Sequence, residues 1–342
     1  MTSDWKKYRL NELGTVGRGR SRHRPRNDSR LYGGRYPFFQ TGDVKSAELY
    51  LHKHEATYNE FGLAQSQLWQ PGTLCITIAA NIADSAILSV AGCFPDSVVG
   101  FIADPKLADA KFVKYKLDTL QRSMQSAALG TTQDNLSLEK LLSFDLEVPP
   151  LAIQKRISRI LSAYDDLIEN NTRRIAILEE MARRLYEEWF ANFRFPGHET
   201  VEFEGEGDER LPKGWLTTGL YDVAEVVYGH PFKSGLFSAT GNGLGVVRIR
   251  DVLSDRTSVF TTEDGKPQHR LTNGDILVGM DGAFYLGRWA GGEAWLNQRV
   301  CCLRPKPDVP RHLLFQAVAG PIKRLEETIV GTTVAHLSAR DC

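Results

Sequence analysis

Residues 146–190 read LEVPPLAIQKRISRILSAYDDLIENNTRRIAILEEMARRLYEEWF, and this stretch decides how the rest of the chain is organised. Apolar or semi-apolar side chains recur in it in steps of three and four, the pattern of a coiled-coil helix. The prolines at 149–150 fix the start of this helix, and Pro196 with Gly197 prevents its continuation. About 40 residues at about 1.5 Å each make a rod of roughly 60 Å. A rod of that length needs a pairing surface beyond one small domain.

The predicted pairing seam is formed by residues three, four or seven positions apart, which share one face of the helix. Its members are Ile157, Ile160, Tyr164, Leu167, Asn171, Ile175, Leu178 and Leu185. A polar residue at a seam position sets the register of a coiled coil at a cost in stability, which is the interpretation of Asn171. The alternative is an amphipathic helix that lies on a neighbouring domain, an arrangement typical of shorter helices.

On either side of this segment the chain repeats itself once. Trp5 with Leu10 recurs as Trp215 with Leu220, an offset of 210. Three further pairs of segments follow in the same order while the offset falls to 201. They are Pro37–Val44 with Val246–Val252, Pro71–Ile76 with Asn273–Val278, and Gly130–Ser137 with Gly331–Ser338. A repeat that keeps its order while its loops vary in length predicts two domains of one fold.

Within each repeat, short β-branched runs bounded by Gly, Pro, Asn or Asp predict strands. The predicted strands are Leu74–Ile78, Ala86–Val90, Val98–Ala103, Ile276–Met280 and Val300–Leu303, and the predicted helices are Lys111–Ser126 and Arg311–Glu327. The fold class is therefore α+β. The predicted domains are 1–148, the spacer helix 149–195, an acidic linker 196–210 and the second domain 211–342.

Charge is segregated along the chain, although the formal net charge is zero. Residues 1–40 contain ten Lys or Arg and three acidic residues, whereas six acidic residues crowd 199–209. Segregated positive charge is what a DNA-facing surface requires. No apolar run approaches the roughly 20 residues that span a bilayer, and the N-terminus has no apolar signal region, so we expect a cytoplasmic protein. The five cysteines form no C-x-x-C pair, and we expect reduced thiols.

The Pro-Pro-Leu-x-x-Gln-x-x-Ile junction at 149–157, joined to the seamed helix, resembles the central region of specificity subunits of type I restriction-modification systems. The Trp-x-x-x-x-Leu opening and the Gly-Thr-Thr near the end of each repeat resemble their two target-recognition domains. The resemblance covers essentially the whole chain. It implies two similar sheet-rich target-recognition domains connected by a long coiled-coil-type helix.

Members of this family bind the two halves of a bipartite DNA site, one per recognition domain. The resemblance implies that the chain directs a partner adenine methyltransferase (M) subunit and, through it, a restriction (R) subunit to that site. S-adenosylmethionine, ATP and magnesium are expected on those partners, and no cofactor or metal on this chain. The sequence also lacks the phosphate-binding loop G-x-x-x-x-G-K-[ST], the Asn-Pro-Pro-aromatic tetrapeptide of amino-methyltransferases and the hydrolase motif G-x-S-x-G. We therefore expect a non-catalytic subunit.

The family normally carries a second helix after the second domain, packed antiparallel on the first. By the 201 offset Cys342 corresponds to Leu141, so we expect a chain truncated before that helix. The exposed seam then predicts a homodimer in which two copies pair their long helices antiparallel. An alternative function follows from the same feature, that of an assembly protein acting through its long helix with a truncated, inactive DNA-binding role.

Candidate DNA-binding residues share cationic, amide or small hydroxyl groups placed in predicted loops. They are Arg18, Arg20, Arg22, Arg24 and Arg26; Gln40, Thr41 and Lys45; Thr131, Thr132 and Gln133; and, in the second repeat, His230, Lys233, Arg248, Arg250, Thr332 and Thr333. Guanidinium groups fork onto phosphates or guanine, and amides match adenine. The alternatives are a solvated basic loop, and a helix-capping role for Ser137 and Ser338. Asn81 and Asp84, which match Asp281 and Arg288 loosely, are further candidates.

Overall fold

The computed structural model describes residues 4–128, 135–207, 210–282 and 284–328. The chain divides into two compact units, residues 1–174 and 175–342. Each unit combines mixed sheets with helices, and a long helix begins in the first unit. The predicted α+β class with two similar sheet-rich units is therefore confirmed.

The first unit contains nine strands and the start of the long helix among its described residues. The strands are Lys6–Tyr8 (β1), Gly14–Arg18 (β2), Tyr32–Phe38 (β3), Tyr50–Leu51 (β4), Ala56–Tyr58 (β5), Leu74–Thr77 (β6), Ser85–Leu88 (β7), Val98–Ala103 (β8) and Leu146–Val148 (β9). The helices are Thr41–Ser46 (α1), Glu60–Ala64 (α2), Ala110–Ala128 (α3), Leu138–Leu142 (α4) and Leu151–Tyr186 (α5).

The main sheet of this unit has the strand order β2-β8-β6-β7-β4 and is covered on both faces. Successive side chains of a strand point to opposite faces. Leu74 and Ile76 thus join a core that includes Phe112 of α3, while Cys75 between them joins a core that includes Phe39 and Trp69. Burial on both faces explains why β6 and β7 are apolar without alternation.

Helix α5 confirms the long predicted helix, which continues as a π-helical turn at Glu187–Ala191. The stripe that is buried in it is polar: Gln154, Ser158 and Ser162, four residues apart. The seam predicted from sequence lies outside this stripe. Its exposed members are Ile160, Tyr164, Leu167, Asn171, Ile175, Leu178 and Leu185. Ile157 differs, because it is half-buried and packs against the core of the first unit.

The second unit repeats the main sheet in the same order. Its strands are Phe203–Glu204 (β10), Leu211–Pro212 (β11), Ala224–Tyr228 (β12), Phe237–Ser238 (β13), Leu244–Val247 (β14), Phe260–Thr261 (β15), Arg270–Leu271 (β16), Ile276–Gly279 (β17), Leu286–Arg288 (β18), Ala294–Leu296 (β19) and Val300–Pro305 (β20). Its helices are Leu220–Val223 (α6) and Arg311–Thr328 (α7). The order β12-β20-β17-β18 matches β2-β8-β6-β7, and a second sheet has the order β13-β15-β14-β19-β16.

Three further features bear on the predictions. The acidic segment 196–210 is not featureless, since β10 within it pairs with β11. Among the described residues, no helix has the length and apolarity needed to cross a membrane. The same part of the chain contains no cluster of three or more potential metal ligands.

Candidate nucleic-acid interface

The strand register gathers several loops at one end of the first main sheet. Arg18, the last residue of β2, pairs with Val99 near the start of β8, and Thr77 at the end of β6 pairs with Val98. Ser85, the first residue of β7, pairs beside them with Ile76. The loop after β2, the turn between β6 and β7 and the loop before β8 therefore adjoin. We call this region, residues 19–31, 78–84 and 92–97, the first loop end.

The basic loop, residues 18–26, is anchored to this end through its backbone. Gly19 N donates to the carbonyl of Val98 at 2.8 Å, and Arg20 N donates to that of Phe94 at 3.0 Å. A Cβ at Gly19 would lie 2.3 Å from the carbonyl oxygen of Pro95, so only glycine allows the two loops to approach this closely. Gly229 occupies the same position after β12, where a Cβ would lie 1.8 Å from the carbonyl oxygen of Asn297.

The five arginines of the loop divide into two sets. Arg26 forms an ion pair with Asp96 at 2.6 Å, Arg24 lies 4.0 Å from the same carboxylate, and Arg18 Nε donates to the Asp96 carbonyl at 3.1 Å. Arg20 and Arg22 are exposed, and within the described residues their guanidinium groups contact no acid or carbonyl. These two are therefore the cations available to an external anion.

A second carboxylate, that of Asp28, holds the segment between the basic loop and β3 in place. Asp28 accepts hydrogen bonds from the side chain and backbone of Arg30 and lies 2.7 Å from the ring Nε2 of His23. The hydrogen bonds from Arg30, followed by that from His23, hold the pKa of Asp28 well below its usual range. Asp28 thus stays charged and fixes the loop's return to β3 without occupying Arg20 or Arg22.

Helix α1 places Gln40, Thr41 and Lys45 next to the same loops, because Phe39 N donates to the carbonyl of Cys93 at 2.8 Å. Gln40 is exposed at the N-cap, where its backbone N donates to Asp43 Oδ2 at 2.7 Å. Thr41 is half-buried in the first turn, and Lys45 is exposed on the second. The structure thus brings these residues to the first loop end, where Phe39 adjoins residues 92–97 and Lys45 contacts Asn81.

The second main sheet has an equivalent loop end, at residues 229–233, 280–282, 284–285 and 297–299. His230 N donates to the carbonyl of Leu296 at 2.9 Å, and its ring stacks on the buried ring of His269 with centroids 5.3 Å apart. Burial, with the nearby His230 ring and two cations, lowers the pKa of His269. His230 is therefore half-buried in a packed aromatic pair, whereas the side chain of Lys233 is exposed.

Arg248 and Arg250 differ sharply although they are two residues apart. Arg248 is an N-cap residue like Gln40, and its backbone N likewise donates to the carboxylate three residues later, Asp251 Oδ2, at 3.0 Å. Its Nε is buried 3.5 Å from that oxygen, close enough for an ion pair but without a hydrogen bond. Arg250 is exposed and contacts no acid within the described parts of the chain. Arg250 is thus the accessible cation of this turn.

Five predicted DNA-binding residues, Thr131, Thr132, Gln133, Thr332 and Thr333, lie outside the described residues. Ser338, predicted to cap a helix like Ser137, lies outside them too. The described residues resume at Asn135. Leu136 N donates to the carbonyl of Ile78 at 2.9 Å, at the start of the turn between β6 and β7. Ser137 caps α4 by accepting from Lys140 N at 3.1 Å, which confirms the capping alternative for that residue.

Sequence reasoning missed Asp96, because no local pattern links an acid to arginines about 70 residues earlier.

Two copies of one sheet module, each carrying basic residues on the loops at the same end, together with a long helix, define a duplicated recognition module. Residues 2–180 match the family described as the type I restriction modification DNA specificity domain. The match covers more than half of the chain, and the chain belongs to this family.

Individual relatives agree with this assignment. The specificity subunit of the type I restriction enzyme EcoBI from Escherichia coli is 31% identical over 150 residues, 44% of this chain and 32% of that protein. The MjaIX specificity subunit from Methanocaldococcus jannaschii is 26% identical over 231 residues, 66% of this chain and 53% of that protein. The matches thus span between about a third and about half of these relatives.

The fold has also been observed in a solved structure. The crystal structure of the type I restriction-modification S subunit from M. genitalium superposes with a TM-score of 0.56 at 15% identity, covering 99% of this chain and 83% of that one. At this identity the likeness concerns the fold. It includes the duplicated sheets and the helix, so the architecture predicted from the resemblance is confirmed.

Proposed function

We propose that this chain is a non-catalytic specificity subunit that binds a bipartite site in double-stranded DNA, one half per unit. The observation that carries the proposal is a set of cations at the loop ends of the two main sheets that are exposed and unpaired among the described residues: Arg20 and Arg22 in the first unit and Lys233 in the second. Arg250 is a further exposed cation in the turn after β14, and this turn adjoins the second loop end because Asn297 N donates to the carbonyl of Val247 at 3.2 Å. Such cations contact phosphates and guanine edges. The names of the relatives as specificity subunits of restriction enzymes support the same function.

The proposed partners follow from this role. The chain would act in the cytoplasm and bind type I M subunits, and through them an R subunit, with S-adenosylmethionine, ATP and magnesium bound by those subunits. The family assignment supports this arrangement. The alternative, an assembly protein with no DNA-binding role, is less well supported, because both loop ends retain accessible cations.

The test is co-expression of the chain with its partner methyltransferase subunit, followed by sequencing of modified adenines. We expect one bipartite sequence to be modified, and replacement of Arg250 with alanine to relax discrimination by about tenfold to a hundredfold at a position in one half only. The reason is that Arg250 belongs to the second unit alone.

The matched control is Lys306→Ala. Lys306 is exposed and directly follows β20, so it lies at the opposite end of the same sheet from the loops. It is expected to leave the modified sequence unchanged. Relaxation of both halves by Arg250→Ala would contradict independent recognition, and the absence of any modified sequence would contradict the function.

We also propose that a second copy of this chain covers the exposed seam of α5 in an antiparallel homodimer. Tyr164, Leu167 and Leu178 are 65%, 54% and 62% exposed. Each aliphatic side chain that becomes fully buried contributes about 1.5–3 kcal/mol, and a two-fold axis lets one seam serve both copies.

Replacing Leu167 and Ile175 with glutamate is expected to convert this dimer to a monomer, because the carboxylates would be buried at the seam. Sedimentation at micromolar concentration measures the change. Asn170→Glu with Thr172→Glu adds the same charge at exposed positions outside the seam and should leave the dimer intact. An unmodified chain that sediments as a monomer would refute self-pairing.

A further inference from the structure

The turn between β6 and β7, residues 78–84, holds two alanines in the left-handed backbone region. Ala80 and Ala83 both have φ of 63°. In the second unit Gly282, which like Ala80 lies three residues beyond the end of its strand, has φ of 71°. The left-handed conformation brings Cβ close to the following carbonyl oxygen, so alanine keeps it only where the surroundings fix the backbone.

Side chains from the sheet and from α3 fix this backbone. The hydroxyl of Thr77 donates to the carbonyl of Asn81 and accepts from Asp84 N at 3.0 Å. Gln121 Nε2 donates to the Asp84 carboxylate at 2.7 Å, and Gln125 Nε2 donates to another carbonyl of the turn at 3.1 Å. Burial raises the pKa of Asp84, an effect opposed by Lys45 and Gln121. The turn is therefore held rigid at the first loop end.

The side chain of Asn81 has a defined orientation at the tip of this turn. Lys45 Nζ lies 3.2 Å from Asn81 Oδ1. Because an ammonium group only donates, the amide oxygen must face Lys45. The half-buried Asn81 then directs its NH₂ group elsewhere, and within the described residues that group has no acceptor. Its oxygen also retains a second lone pair.

We propose that Asn81 reads an adenine of the first half-site in the major groove, and that Lys45 is its positioning residue. The proposal rests on the proposed function and names the base chemistry of that same surface. An asparagine amide pairs with adenine by donating to N7 and accepting from the N6 amino group. The free NH₂ group and the remaining oxygen lone pair of Asn81 supply both partners without breaking its contact with Lys45.

The experiment uses the full chain with the co-expressed methyltransferase subunit and a library of duplexes randomised across the recognised site. Asn81→Ala is expected to reduce the preference for A·T at one position by about tenfold to a hundredfold, without altering the salt dependence of binding. Asn81→Asp keeps the size of the side chain but not the donor, and it is expected to favour cytosine there. Lys45→Met should weaken the preference at the same position, and Lys45→Arg should retain it.

Asn11→Ala is the matched control, because Asn11 is exposed and precedes β2, at the opposite end of the sheet from the turn. It should leave every preference unchanged. If Asn81→Ala and Asn81→Asp both kept the base preferences of the unmodified chain, the inference would be overturned and the proposed function would stand. A uniform loss across all sequences with a smaller salt dependence would identify a phosphate contact and also overturn it. No sequence preference in the unmodified complex would overturn the proposed function and the inference together.

Discussion

Replacing Arg20 and Arg22 together with alanine is expected to weaken DNA binding about a hundredfold at about 0.1 M salt. Each charge-assisted contact contributes about 1.5 kcal/mol, and about 1.4 kcal/mol corresponds to a factor of ten. Because each lost phosphate contact lowers the slope of log affinity against log salt by about one, the slope should fall by about two. Titrations of a duplex at several salt concentrations measure both quantities.

Two comparisons separate this result from a general loss of positive charge. Lys106→Ala removes an exposed cation just beyond β8, at the opposite end of the sheet, and should change neither affinity nor slope. Arg26→Ala breaks the ion pair with Asp96, so its main effect should be to make the basic loop less ordered. An unchanged salt slope in the Arg20 and Arg22 variant would contradict the placement of this loop on DNA.

Much of the fold was predictable because its signals are local. Burial on both faces makes β6 and β8 continuous apolar runs, so their positions follow from the sequence; the predicted strand 98–103 agrees with the structure residue for residue. The two prolines at 149–150 fix the start of α5 for a stereochemical reason. The repeat also transfers strand assignments from one unit to the other, as it does for β6 and β17.

The site was less predictable because its pairings are distant in sequence. Composition treats the five arginines of the basic loop alike, whereas Asp96 pairs with Arg24 and Arg26 and leaves Arg20 and Arg22 available. Likewise the orientation of the Asn81 amide, which makes it a candidate for reading a base, is set by Lys45, 36 residues earlier in the sequence. A usable signal did exist at one point: in the repeat, Gly282 stands where the first unit has Ala80, which indicates a left-handed position in that turn.

Replacing Gln154 with alanine is expected to lower the free energy of unfolding of the first unit by about 3 kcal/mol. Gln154 is 1% exposed at the start of α5; its Oε1 accepts from Asp109 N at 3.0 Å, and its Nε2 donates to the carbonyls of Leu107 and Pro149 at 2.9 Å. Removing the amide strands one buried donor, which costs about 1–3 kcal/mol, and leaves two carbonyls unpaired. Urea denaturation with hydrogen exchange of the α3 and α5 amides measures the loss.

Two neighbouring changes decide whether hydrogen bonding or packing is responsible. Ile153→Ala removes an adjacent side chain that is 46% exposed, and it should change the free energy of unfolding by less than about 1 kcal/mol. Gln154→Glu keeps the shape and the acceptor for Asp109 N, but it replaces the NH₂ donor with a carboxylate oxygen facing two carbonyls. That variant should lose at least as much stability as Gln154→Ala near neutral pH, since a buried charge without a cation is unfavourable. If Gln154→Glu were as stable as the unmodified chain, the amide would serve only to fill space. That outcome would contradict the hypothesis that the hydrogen bonds of Gln154 hold the start of α5 in the first unit.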